Sequence, residues 1–120
     1  MTISDSELYI MDILWSQSPL NANQIVERLP TALDWTDKTA KTLINRLLKK
    51  GALDFQKEGR HYLYFPTITR QEIQSTTSKQ ILSRLFNGKL STLVSHFADH
   101  EKLSDKEIAE LEKIIKDMKP

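Results

Sequence analysis

Lys38, Lys41, Thr42, Asn45 and Lys49 fall on one face of the helix written by residues 36–51, with Arg46 at its margin. A solvated helix face normally mixes acids with bases, yet after Asp37 this one carries no acid. Long cations beside short hydrogen-bonding side chains suit a helix in a DNA major groove. The cations neutralise phosphate, while Thr and Asn reach base edges or phosphate oxygens.

A second set of residues could do different chemistry. His96 and His100 stand four apart, with Asp99 and Glu101 beside them, a permissible metal-ligand spacing. Two histidines without a third and fourth ligand in range are a weak signal, and a solvated helix end is the stronger reading. The chain has no cysteine and only three glycines. That excludes a disulfide framework, a thiolate zinc site, a cysteine nucleophile and a glycine-rich phosphate loop. The expectation is a protein that is not an enzyme and has no cofactor and no metal.

The basic face needs a helix and a support behind it. Ala40, Leu43, Ile44 and Leu47 repeat at i, i+3, i+4, i+7, the spacing of a buried helix stripe. Thr36 can cap its start, and Gly51 supplies a left-handed stop after Lys49 and Lys50. Residues 52–55 and 61–65, rich in Leu, Phe and Tyr, then flank Gln56-Lys57-Glu58-Gly59-Arg60. These read as a β-hairpin whose turn holds Lys57 and Arg60. Helix followed by a hairpin with a basic tip is the outline of a winged helix-turn-helix.

Upstream, Ser4 and Glu7 are spaced as a capping box before a helix with Leu8, Met11, Ile13, Leu14 and Trp15 inward. Asn21 and Gln24 repeat the spacing and open a short helix with Ile25, Val26 and Leu29 inward, closed by Pro30. Trp35, just before the Thr36 cap, either staples the helix start against Ala40 or stacks on a sugar-phosphate edge; packing is the stronger reading. His61 in the wing is read as contacting phosphate or solvent.

The net charge of +1 hides a pattern. Residues 1–35 carry −4, residues 36–62 carry +4, residues 63–97 carry +3 and residues 98–120 carry −2. Positive charge collects where the reading helix and wing stand, and distribution matters more than total.

Downstream, Thr69 and Glu72 open a long polar helix to about Phe86, broken by Asn87-Gly88. A further helix carries Leu90, Leu93, Val94 and Phe97 on one stripe. A last helix, capped at Ser104, carries Ile108, Leu111, Ile114 and Ile115. These two faces either pack back on the N-terminal domain or form a self-association arm. The arm is favoured, because the reading domain already has a three-helix core and a twofold dimer matches recognition of two half-sites. The fold class expected is mainly α with a small β-hairpin wing: a winged-helix DNA-binding domain over residues 1–68 and a helical dimerisation region over residues 69–120. With no apolar run of membrane-spanning length and no signal sequence, a soluble cytoplasmic protein is expected. The alternative function is a winged helix used for protein–protein interaction without DNA, which would want an apolar or acidic reading face.

Over essentially its full length the chain resembles the penicillinase and methicillin-resistance repressor family (BlaI/MecI/CopY). The resemblance is strongest in SDSELYIMDILW, NANQIVERL, TDKTAKTLINRLLKKG and GRHYLYFP, and continues in LVSHFADHEKLSDKEIAELEKII. It implies a homodimeric transcriptional repressor that binds double-stranded operator DNA at inverted repeats with TACA and TGTA half-sites and controls resistance or metal-handling genes. Carried over by position, the reading residues are Lys38, Thr39, Lys41, Thr42 and Arg46. The copper-responsive branch has paired C-terminal cysteines, which this chain lacks, so cysteine-based copper sensing is not available to it. The β-lactam branch is inactivated by cleavage of an Asn-Phe bond in the arm, and the matching bond here is His96-Phe97. A membrane sensor metalloprotease is the partner this implies.

Overall fold

The structure, a computed structural model, describes residues 1–119. Three helices come first: α1 (Asp5–Ser16), α2 (Ala22–Arg28) and α3 (Asp37–Lys50). A 3-10 turn at Thr31–Leu33 lies between the second and third. A hairpin of β1 (Leu53–Glu58) and β2 (His61–Pro66) follows, then α4 (Arg70–Leu85), α5 (Leu90–His100) and α6 (Asp105–Met118).

The capping chemistry accounts for the helix starts. Ser4 with Glu7 and Asn21 with Gln24 form reciprocal capping boxes. Thr36 accepts from the Thr39 amide, Thr69 from Glu72 and Ser104 from Glu107. Gly51 ends α3 at φ 81°, a left-handed conformation that costs glycine little.

Two compact units divide the chain, Met1–Thr77 and Ser78 onward. The core of the first collects Ile10, Met11 and Leu14 of α1, Ile25 of α2, and Leu43, Ile44 and Leu47 of α3, all buried. Ala40 is fully buried as well, so the stripe read from the sequence of α3 is the face that packs. In α1, Met11 and Leu14 are buried as expected, whereas Leu8, Ile13 and Trp15 are only partly so. Ile10 and Glu7 take the deeper places. Trp35 is half-buried and meets Tyr9 edge-on at 5.7 Å between ring centroids, a packing role.

The hairpin is tied to this core at a defined point. Leu20 and Tyr64 exchange backbone hydrogen bonds of 3.1 and 2.8 Å, so the α1–α2 connection adds a short third rung beside β2. Trp15 Nε1 donates to the Ile68 carbonyl at 2.9 Å, and the Arg70 guanidinium lies 5.0 Å over the same indole while pairing with Asp12. Ile73 is buried in the same cluster. The first unit therefore reaches past residue 68 into the first half of α4.

The strands are longer than the sequence suggests, and this moves Gln56, Lys57 and Glu58 out of the turn and into β1. β1 and β2 pair from Leu53↔Pro66 to Glu58↔His61, leaving a two-residue turn, Gly59-Arg60. Gly59 alone takes a positive φ, 61°, the arrangement of a type II′ hairpin turn. Lys57 consequently lies within β1 opposite Tyr62, not in the turn. Leu53-Asp54-Phe55-Gln56 alternates apolar and polar, but Lys57-Glu58 does not continue the pattern, and five of the six β1 side chains are exposed.

In the second unit, α4 stops at Leu85 just before Asn87 and Gly88, whose φ values are 51° and 76°, and the Gly88 amide returns to the Leu82 carbonyl. Neither α5 nor α6 buries any residue within the single chain.

Candidate nucleic-acid interface

The outward face of α3 carries Lys38, Thr39, Lys41, Thr42, Asn45, Arg46 and Lys49, and every one of these side chains is exposed. They project from a helix whose opposite face is fully engaged in the core, so the face is held by packing rather than by its own contacts. Two of the short side chains are oriented locally. The Thr42 hydroxyl donates to the Lys38 carbonyl at 2.9 Å, which leaves its methyl group and oxygen lone pairs outward. Thr39 and Thr36 hydroxyls lie 3.1 Å apart at the helix start.

One cation of α3 is turned elsewhere. Lys50 Nζ sits 2.5 Å from Glu7 Oε1 and 2.8 Å from the Thr2 carbonyl. Glu7 is 1% exposed, and its second oxygen, Oε2, has no hydrogen-bond partner among the described residues. Desolvation pushes the Glu7 carboxyl up. Hydrogen bonds from Lys50 and from the Ser4 amide and hydroxyl outweigh it, holding the group below the usual carboxylate range. Lys50 thus fastens the end of α3 to the start of α1.

Lys41 stands where α3, the start of α2 and the wing converge. It lines a cleft of about 200 Å³ with Asn21, Asn23, Arg60, His61 and Tyr62. A neighbouring cleft of about 220 Å³ joins Lys41 and Asn45 to Tyr64 and Ala22. Both are smaller than the roughly 300–1,000 Å³ of ordinary small-molecule sites, and both set Lys41 among neutral polar, aromatic and apolar side chains, with Arg60 also in the first. The Tyr64 hydroxyl is pushed up from its ordinary pKa by burial and by Tyr62, so it stays a neutral donor there.

Arg60 thus joins the α3 face, while Lys57 lies exposed further along the wing. Sequence reasoning placed Asn21 only as a cap and did not single out Asn23 or Tyr62. The signal for them was their neighbourhood, which exists only once Leu20 pairs with Tyr64. Phe55 and Tyr62, exposed on one face of the hairpin, lie 4.7 Å apart between ring centroids.

In α5, His96 and His100 have ring centroids 4.5 Å apart, and Phe97 meets His96 edge-on. Among the described residues no group of three or more His, Cys, Asp or Glu side chains comes together to hold a metal. No described helix is long and apolar enough to cross a membrane.

The penicillinase repressor family model matches residues 3–117. The chain belongs to the penicillinase repressor family. Among relatives in this family, the penicillinase repressor of Bacillus licheniformis is 38% identical over 117 residues, covering 98% of this chain and 91% of that protein. The methicillin resistance regulatory protein MecI of Staphylococcus aureus is 36% identical over 113 residues, covering 94% of this chain and 92% of its own length. A family structure, monomeric Bacillus licheniformis BlaI in complex with the blaP half-operator, aligns with a TM-score of 0.53 and 40% identity. That alignment covers 60% of this chain and 88% of the solved one. The mainly α winged-helix fold expected from the sequence is the fold of this family.

Proposed function

We propose that this chain is a DNA-binding transcriptional repressor that acts as a homodimer on an inverted-repeat operator with TACA/TGTA-type half-sites, controlling a resistance or stress-response gene. The observation that carries the reading is the acid-free, fully exposed face of α3 set against the Arg60-bearing wing, in a chain of the penicillinase repressor family. A solved relative carries a half-operator on the matching domain, which supports the same use of this face.

In this reading Lys38, Thr39, Lys41, Thr42, Asn45 and Arg46 enter the major groove, and Lys49, Lys57 and Arg60 hold flanking phosphates. Leu90, Leu93, Val94 and Phe97 of α5, with Ile108, Leu111, Ile114 and Ile115 of α6, form the dimer seam. Their support is that these apolar side chains are half-buried or exposed in the single chain. Release from DNA follows cleavage at His96-Phe97 by a membrane sensor metalloprotease, which splits the seam and parts Phe97 and α6 from the reading domain.

Salt dependence tests the DNA reading against a protein-interaction module. Log affinity for an operator duplex falls linearly with log salt, with a slope of about −0.9 per phosphate contact. A flat salt response with retained binding to a protein partner would reject it.

A further inference from the structure

We propose that His96 and His100 form an open, two-imidazole site for a late first-row divalent cation, Cu²⁺ or Ni²⁺ ahead of Zn²⁺, on the exposed surface of α5. The two residues occupy successive turns of one helix face, where side chains four apart are neighbours. Their rings lie 4.5 Å apart and tilted by 48°, and both residues are exposed. Neither imidazole is engaged by a protein hydrogen bond among the described residues, so both are free to turn. Bonds of about 2.0–2.1 Å to one cation need ligating nitrogens about 2.9 to 4.1 Å apart, which a small side-chain rotation reaches from this separation.

The local field also favours a cation. His100 is in the last turn of α5, where the helix dipole is negative, and Asp99 and Glu101 flank it. No third side chain closes the cage, so water completes the coordination. An open nitrogen pair follows the general order of divalent affinity at one site, which rises through Ni²⁺ to a maximum at Cu²⁺ and falls at Zn²⁺. The sequence spacing reads also as a solvated helix end; the adjacent exposed rings, 4.5 Å apart, are what favour the pair as ligands.

The chelate encloses the His96-Phe97 bond. A protease must draw several residues around its target bond into an extended conformation, and a cation tying His96 to His100 holds that turn helical. Metal binding therefore slows cleavage at 96–97. This consequence rests on the cleavage reading above, whereas the binding itself does not.

The test is calorimetric titration of full-length protein with NiCl₂ and with CuCl₂, together with amide hydrogen exchange of the segment 96–101. The wild type and the His61→Gln control bind a single cation per chain, and Ni²⁺ slows exchange in the segment. His96→Gln and His100→Gln each weaken binding by at least about tenfold, since losing a ligand costs no less than losing its support, and abolish the slowing. Equal affinity in those two variants, loss in His61→Gln, or exchange untouched by Ni²⁺ overturns the proposal. A chain that binds Ni²⁺ and slows exchange, but is not cut at 96–97 by its sensor protease, keeps the site and loses the cleavage reading.

Discussion

Lys50 Nζ at the end of α3 lies 2.5 Å from Oε1 of Glu7, a carboxylate buried in the first turn of α1. A basic residue contiguous with the reading face is thereby a structural tie. Lys50→Met leaves Glu7 buried without its cation, and stability falls by about 1–3 kcal/mol. The slope of DNA affinity against salt stays that of the wild type, because Lys50 holds no phosphate. Denaturant unfolding beside a salt-dependent DNA titration separates the two effects.

The same pair sets an acid limit. Glu7 is held below its ordinary pKa, so the unfolded state takes up its proton first as pH falls. Its contribution is fully present above the ordinary glutamate range and is lost as pH drops through the lowered folded value. In Lys50→Met the hydrogen bond and charge that lower the Glu7 pKa are gone while desolvation remains, so the Glu7 share of the acid limb shrinks and the stability gap to the wild type narrows as pH falls. Melting temperatures measured between pH 3 and 7 show the gap closing toward acid; a gap that is the same at every pH would contradict it.

On α3, Lys41→Ala and Arg46→Ala weaken operator binding without unfolding the protein. Both side chains are exposed, so stability changes by no more than about 0.5 kcal/mol. Mobility-shift titration at fixed salt gives the affinity. Lys41, lining both clefts, is expected to show the larger loss.

The wing separates its two cations. Arg60, at the turn and in the cleft with Lys41, and Lys57, within β1, are both assigned to phosphate. Neutralising either lowers affinity for all sequences alike and reduces the salt slope by about one unit. A changed base preference at a single operator position would contradict the assignment.

The arm carries the fifth expectation. A chain cut after Thr77 keeps Ile73 and the Trp15–Ile68 bond, so it folds as a monomer that binds operator weakly. A cut after Thr69 removes Ile73 and costs stability. In the full chain, Leu111→Glu puts an unpaired charge into the proposed seam and dissociates the dimer, as sedimentation at micromolar concentration reads.

Much of this was legible in the sequence because local rules agreed with tertiary ones. Ala40, Leu43, Ile44 and Leu47 are buried where periodicity put them, and the Thr36 cap and Gly51 stop bound the helix. Where local and tertiary demands differ, the sequence was silent. Glu7 reads as a capping residue, and only the approach of Lys50 from 43 positions away makes its burial tolerable. The extent of β1 was hidden because the alternation of Leu53-Asp54-Phe55-Gln56 stops at the exposed pair Lys57-Glu58. The grouping of Asn23, Lys41, Arg60 and Tyr62 depends on the Leu20–Tyr64 rung, a long-range contact that no local pattern encodes.

The central claim is that two copies of the α3 face read an inverted repeat. Anisotropy titration of full-length protein at about 0.15 M salt, against an inverted TACA/TGTA duplex, a single half-site and a scrambled duplex of equal length, tests it most directly. The account predicts two chains per inverted repeat, with specific binding about 10³-fold or more tighter than to the scrambled duplex and a weaker single half-site. Equal affinity for all three duplexes would contradict it.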